Sequence, residues 1–219
     1  MTFIAALMAS TMAAATPIVE MPPAKPARVA TFNVGGVELI LPLPDDYCLP
    51  VTAAEIGGAQ ILAAGDTTNV THLQIGRCDI AQPNARFDYT LVKTPRSVLA
   101  ATVGRSSLIA GVGDEFNNPV TLANFDFGKA GADVSVAFGK TVTLAGAIKP
   151  LGRDDMCAYL GGVIDVKTGD MAYAQAVGAC ITAVGGRVVI VYRYGPDNTP
   201  AGVAKLVVEA KSVAGSIRD

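Results

Sequence analysis

Two kinds of periodicity alternate along this chain. Thr31-Phe32-Asn33-Val34 and Val37-Glu38-Leu39-Ile40 flank Gly35-Gly36, a two-residue turn signal because glycine accepts the positive φ that primed hairpin turns require. Pro42 and Pro44 close that run, and residues 52 to 65 then space Ala, Ile and Leu for a short helix stopped by Gly65. Val70 to Cys78 and Phe87 to Thr94 alternate as strands. Thr94 and Pro95 then read as the cap and first residue of a helix with a broken apolar stripe of Val98, Leu99, Val103, Leu108, Val112 and Phe116. Residues 117 to 133 read as loop.

The second half is more regular. Tyr159 to Val166, Met171 to Val184 and Arg187 to Tyr194 are β-rich runs joined at Thr168-Gly169 and Gly185-Gly186, a three-stranded meander. Thr199-Pro200 opens a helix with Val203, Leu206, Val207, Ala210, Val213, Ala214 and Ile217 on one face and Lys205, Glu209, Lys211 and Arg218 elsewhere. An apolar helix face must be covered, and the meander is the adjacent sheet. The fold class is therefore α+β, a largely antiparallel sheet flanked by helices.

Asp45-Asp46-Tyr47-Cys48 and Asp154-Asp155-Met156-Cys157 write one short signature twice, each followed by a further cysteine, Cys78 and Cys180. In both halves a β-rich stretch, the signature, a second cysteine, a strand and Thr-Pro come in the same order. That order is consistent with two related halves, 31–117 and 134–219, which need not be separate domains. A two-residue loop at Thr168-Gly169 sets Cys157 directly opposite Cys180, where Cα atoms lie ~4.5 to 5.5 Å apart, within disulfide range. A bulge near Gly161-Gly162 would adjust the spacing. Cys157 then pairs with Cys180, and Cys48 with Cys78 by elimination. Each bridge is worth ~3 kcal/mol on the chain-entropy account.

Disulfides need an oxidising compartment, and the N-terminus supplies a route to one. Residues 1–15 hold the apolar run Phe3 to Ala9 and the small-residue run Ala13-Ala14-Ala15 before Thr16, the form of a signal peptide cleaved after Ala15. No Lys or Arg precedes the apolar run. Residues 16–30 carry Pro17, Pro22, Pro23 and Pro26, a linker composition, and 31–219 form the folded domain. Apolar residues make up 51% of the chain, ample for a core, and the net charge of −2 offers no footprint for nucleic acid. No later apolar stretch of membrane length is free of charge, so no transmembrane segment is expected. The reading is a periplasmic or secreted protein.

Candidate chemistry is sparse. His72, the only histidine, could act as a general base with Asp79 or Asp88, but Gly104-Arg105-Ser106-Ser107-Leu108 lacks the second glycine of a nucleophile elbow. A strand histidine is the simpler reading. The cysteines, signature aspartates and His72 lack the spacing of zinc ligands, and disulfides satisfy the thiols without metal. Gly139-Lys140-Thr141 imitates the end of a phosphate-binding loop, but Val134 stands where that motif needs glycine. It reads as a turn. Asn69-Val70-Thr71 matches a glycosylation sequon. Arg187, Tyr192, Arg193 and Tyr194 offer rings and guanidiniums for a binding surface, or simply the solvent face of a strand.

The strand Arg187 to Tyr194 followed by the helix Thr199 to Ile217, closing on Gly215-Ser216-Ile217, resembles the C-terminal strand and helix of PsbP/Mog1-like proteins. Val37 to Pro44 is similar as well. The resemblance implies a sheet sandwiched by helices and an accessory or binding role; it carries over no functional residue, and the paired cysteines depart from the family pattern. Together these readings give a non-catalytic binding or accessory protein of the cell envelope, without cofactor, whose partner is an envelope protein or small ligand. The alternatives are a hydrolase using His72 with a nearby carboxylate, or a secreted structural or assembly subunit.

Overall fold

The computed structural model describes residues 28–81, 84–118 and 127–219. The expected signal peptide and most of the linker lie outside them. Strands β1 (Val29–Val34) and β2 (Val37–Pro42) form the expected hairpin, with Gly35 at φ +55° and Gly36 at φ +88°. Asn33 Oδ1 accepts the Gly36 N–H at 2.9 Å, fixing the turn.

The other strands make one antiparallel sheet, with α+β architecture. They are β3 (Tyr47–Cys48), β4 (Asn69–Arg77), β5 (Tyr89–Pro95), β6 (Val142–Arg153), β7 (Ala158–Thr168), β8 (Met171–Val184) and β9 (Arg187–Gly195), in the order β3-β4-β5-β9-β8-β7-β6. Strands of both halves of the chain thus share one sheet, joined where β5 pairs with β9. Four α-helices are present among the described residues: α1 (Ala53–Ala64), α2 (Arg105–Glu115), α3 (Phe127–Phe138) and α4 (Pro200–Ser216).

Helix α1 starts with a reciprocal cap, Thr52 accepting from Glu55 N–H while Glu55 accepts from Thr52 N–H. Helix α4 begins as read, Thr199 accepting from Gly202 N–H with Pro200 in the first turn. Its face of Leu206, Ala210, Val213 and Ala214 is buried against β7, β8 and β9. Gly178 permits the close approach: a Cβ there would lie 2.5 Å from Val207 N and 2.6 Å from Leu206 C. On this side α4, the β1–β2 hairpin and the sheet share one core that includes Phe32, Leu41, Ile75, Val189, Val191 and Val213. Side chains alternate across a strand, so Ala179, Ile181 and Ile190 emerge on the other face under Leu108 and Val112 of α2 and Phe116 just after it.

Several expectations need correction. Thr94 and Pro95 do not open a helix. Both belong to β5, Thr94 Oγ1 donating to Val188 O at 2.7 Å inside the sheet, and only a 3₁₀ turn, Arg96–Val98, follows. Pairing on both sides outweighs the local Thr-Pro signal; α2 begins ten residues later at Arg105 and keeps only the second half of the expected stripe. The stretch read as loop from 117 to 133 contains the start of α3. The β-rich run before Asp154 is the edge strand β6.

The β7–β8 loop is Gly169-Asp170, not Thr168-Gly169, because Gly169 at φ +55° can take the first turn position and a β-branched Thr168 cannot. Cys180 therefore faces Tyr159, and Cys157 lies diagonally from it, just before β7, with a Cα separation of 5.3 Å. The register irregularity falls opposite in β6, between Pro150 and Gly152, rather than at Gly161-Gly162. Both pairings stand: Cys48 bonds Cys78 and Cys157 bonds Cys180.

Candidate functional site

The alternation of β9 that buries Val189 and Val191 toward α4 carries Arg193 to the same face, where its side chain is only 4% exposed. A charged group so placed needs partners, and three elements together with the residue just before β5 supply them. Arg193 Nη2 shares its two hydrogens among Asp88 Oδ1 (2.7 Å), Glu209 Oε2 (2.8 Å) and the Tyr47 hydroxyl (2.7 Å). Its Nε donates to Glu209 Oε2 at 3.1 Å and Nη1 to Thr90 Oγ1 at 3.2 Å, Thr90 being its direct neighbour on β5. The Tyr47 hydroxyl in turn donates to Asp88 Oδ1 at 2.7 Å.

This network closes the back of a cleft of about 330 Å³ between α4 and the β3–β4–β5–β9 part of the sheet. Pro44 and Val213 add apolar wall, and Arg77, Lys205 and Ser212 complete the lining. Both Arg77 and Arg193 lie over the Tyr47 ring, at 5.3 and 4.8 Å from its centroid. Burial by itself would lower the pKa of Arg193, but Tyr47, Glu209 and Asp88 reverse this and raise it. Burial and the bond to Asp88 raise the Tyr47 phenol as well. The cleft therefore holds a fixed guanidinium and a neutral phenol across the physiological pH range.

The second signature is built differently. Asp154 accepts from Met156 N and Cys157 N (both 2.9 Å), from the Tyr159 hydroxyl (2.6 Å) and from Lys211 Nζ (2.6 Å), tying the turn before β7 to α4. Burial opposes ionisation, yet Lys211, Tyr159 and the two amides hold this carboxyl well below its ordinary range. Arg153 crosses α2 to donate to the Ile109 and Ala110 carbonyls, in space left by Gly113, and a shallow cavity beside it includes Ser106.

The residues singled out by sequence separate. His72 sits in β4 with Nε2 3.0 Å from Thr94 Oγ1 and its ring 6.1 Å from Phe32. Burial lowers its pKa, and Thr94 is 0% exposed, so the pair offers no hydroxyl to a substrate. Asp88 belongs to the Arg193 network. Asn69 of the sequon donates to both Asp66 carboxylate oxygens. Gly139-Lys140 closes α3, Gly139 at φ +63° and Lys140 N bonded to Ser135 O. Of the supposed strand surface, Arg187 donates to the Ala100 and Ala101 carbonyls, while Tyr192 and Tyr194 face away from Arg193 and join Tyr89, stacked on Tyr194 at 4.6 Å. Tyr47, Arg77, Thr90 and Glu209 had no individual signal as site residues; Tyr47's place in the repeated signature was the one hint.

Among the described residues no helix is long and apolar enough to cross a membrane, and no group of three or more potential ligands gathers to hold a metal. Two disulfides are what an oxidising, extracytoplasmic compartment supports. The molecule is thus a disulfide-stapled α+β protein with a polar cleft between sheet and C-terminal helix. Among solved structures it is similar to cyanobacterial PsbP (CyanoP) from Synechocystis sp. PCC 6803, at 14% identity, covering 93% of this chain and 99% of that one, with a TM-score of 0.38. No protein-family model and no curated protein matches the chain.

Proposed function

We propose that this is an exported, non-catalytic binding or accessory protein of the cell envelope, and that the Arg193 cleft receives its small ligand or a segment of its partner. The observation that carries this reading is the Arg193 network. A guanidinium committed to Tyr47, Asp88, Thr90 and Glu209 is held in place rather than poised to move a proton, while Arg77, paired with Asp46, and the largely exposed Lys205, beside Glu209, add positive charge to the lining. Such a preformed, rigid polar recess lowers the ordering cost of binding.

Four measurements test it. The intact mass of protein from its native source, alkylated without reduction, is expected to show a chain beginning near Thr16 with no alkylated thiol. An uncleaved chain carrying four alkylated cysteines would overturn export. Amide NMR of the labelled protein against envelope extract and a small-metabolite library is expected to shift Tyr47, Arg77 and Lys205, with Arg77→Ala weakening the response. Binding that leaves those signals still, or activity abolished by His72→Ala, would overturn the cleft or the non-catalytic reading. A concentration-dependent oligomer in sedimentation would favour an assembly subunit instead.

A further inference from the structure

The two staples differ in surroundings. Cys157 and Cys180 are each 0% exposed, sealed in the main core. Cys78 is exposed and Cys48 half-buried at the edge of the sheet, where β3 has only two residues to pair with β4. Arg28 Nη1 lies 3.2 Å from Cys48 Sγ and 3.4 Å from Cys78 Sγ. The nearby Asp46 carboxylate is itself engaged by Arg77 at 3.7 Å. A disulfide is opened by a thiolate that reaches one sulfur in line, and faster when the departing sulfur is stabilised as an anion. The exposed Cys78 supplies the point of attack, and the guanidinium nearer Cys48 supplies the stabilised leaving group.

We infer that the Cys48–Cys78 bond is a thiol–disulfide exchange site for an extracytoplasmic dithiol protein, attacked at Cys78 and releasing Cys48 as a thiolate against Arg28. The balance is complete. The incoming thiolate forms a mixed disulfide with Cys78; the partner's second thiol then attacks its own bridged sulfur and frees Cys78. Two electrons pass to this chain, the partner dithiol becomes a disulfide, and the partner's two protons end on Cys48 and Cys78. Tyr47 neighbours Cys48, so opening the bond removes the covalent tie of β3 and leaves its short pairing, the Cys78 N–H to Asp46 O bond, the Arg77–Asp46 ion pair and the contacts of the Tyr47 hydroxyl and ring. Reduction thereby loosens one wall of the Arg193 cleft, whatever occupies it.

The test is graded dithiothreitol on the folded protein without denaturant, quenched with iodoacetamide and mapped by peptide mass. Cys48 and Cys78 are expected to be alkylated about tenfold faster or more than Cys157 and Cys180; loss of both bonds together, or of the core bond first, overturns the inference. With glutathione as a single-thiol probe on the same protein, the mixed disulfide is expected on Cys78, and one trapped mainly on Cys48 overturns the assigned direction. Arg28→Gln is expected to slow opening about threefold or more, with Arg28→Lys retaining the rate; an unchanged rate in Arg28→Gln removes Arg28 from the mechanism. On reduction, the NMR signals of the Tyr47 ring and Arg193 Nε–H are expected to move while Val189 and Val191 methyls stay. Unmoved Tyr47 signals would sever the bond from the cleft.

Discussion

Arg193 is the residue on which the cleft depends, and its energetics are those of a buried cation with two partly exposed anions. Arg193→Met keeps the aliphatic volume and leaves Asp88 and Glu209 without their shared donor. Those carboxylates retain some contact with water, 27% and 33% exposed, so the expected loss is about 2 to 3 kcal/mol, below the full penalty of a broken buried pair. Urea unfolding would measure it. Gly178 decides packing at the same scale. In Gly178→Ala the new methyl meets α4 backbone, which cannot rotate away, so α4 must lift; about 2 kcal/mol or more is expected to be lost in the same assay. Arg193 stood in the sequence among Arg187, Tyr192 and Tyr194 as a possible binding surface or the solvent face of a strand, with no sign that it would be buried; Gly178, inside a β-rich run, gave no signal at all.

At the scale of elements, the turns and caps were the legible part. Gly35-Gly36 and Thr199-Pro200 act through neighbours in the chain, so local pattern suffices. Thr94-Pro95 carries the same local signal as Thr199-Pro200 but lies in a strand paired on both sides. The Asp66 turn that leads into β4 ties that strand to β5. Burial pushes its carboxyl toward the neutral form, but Lys93 at 2.7 Å and the Asn69 groups outweigh this and hold its pKa at about 2. A depressed carboxyl stabilises the fold above its unfolded value and loses that contribution as pH falls from about 4 through 2. The pair is mostly shielded, so roughly 2 kcal/mol should disappear over that window, and Asp66→Asn should remove this part of the acid sensitivity in pH-dependent thermal melts. Ser135 protects an edge in a comparable way. Its hydroxyl accepts the Val142 N–H at 2.8 Å, closing the start of β6 against α3. Ser135→Ala is expected to cost about 1 kcal/mol and to speed hydrogen exchange at Val142.

At the scale of the whole molecule, one sheet gathers strands from both halves and carries a staple near each side. The core bond ties β8 to the turn before β7, where Asp154 also anchors α4 through Lys211. The outer bond fastens a two-residue edge strand beside the cleft. Cys157→Ala with Cys180→Ala is therefore expected to destabilise the entire domain by about 3 kcal/mol, whereas Cys48→Ser with Cys78→Ser should chiefly loosen β3 and its surroundings by hydrogen exchange. The amino-acid sequence by itself determined the α+β class, the meander, the closing helix and the first hairpin, because each rests on periodicity or on a short turn; it also gave the disulfide pairing, although through a loop displaced by one residue for Cys157–Cys180 and by elimination for Cys48–Cys78. Only the tertiary structure decided that Arg193 meets Tyr47, Asp88, Thr90 and Glu209. Those residues lie far apart in the chain, and their meeting depends on the β5–β9 pairing and on how closely α4 settles over Gly178.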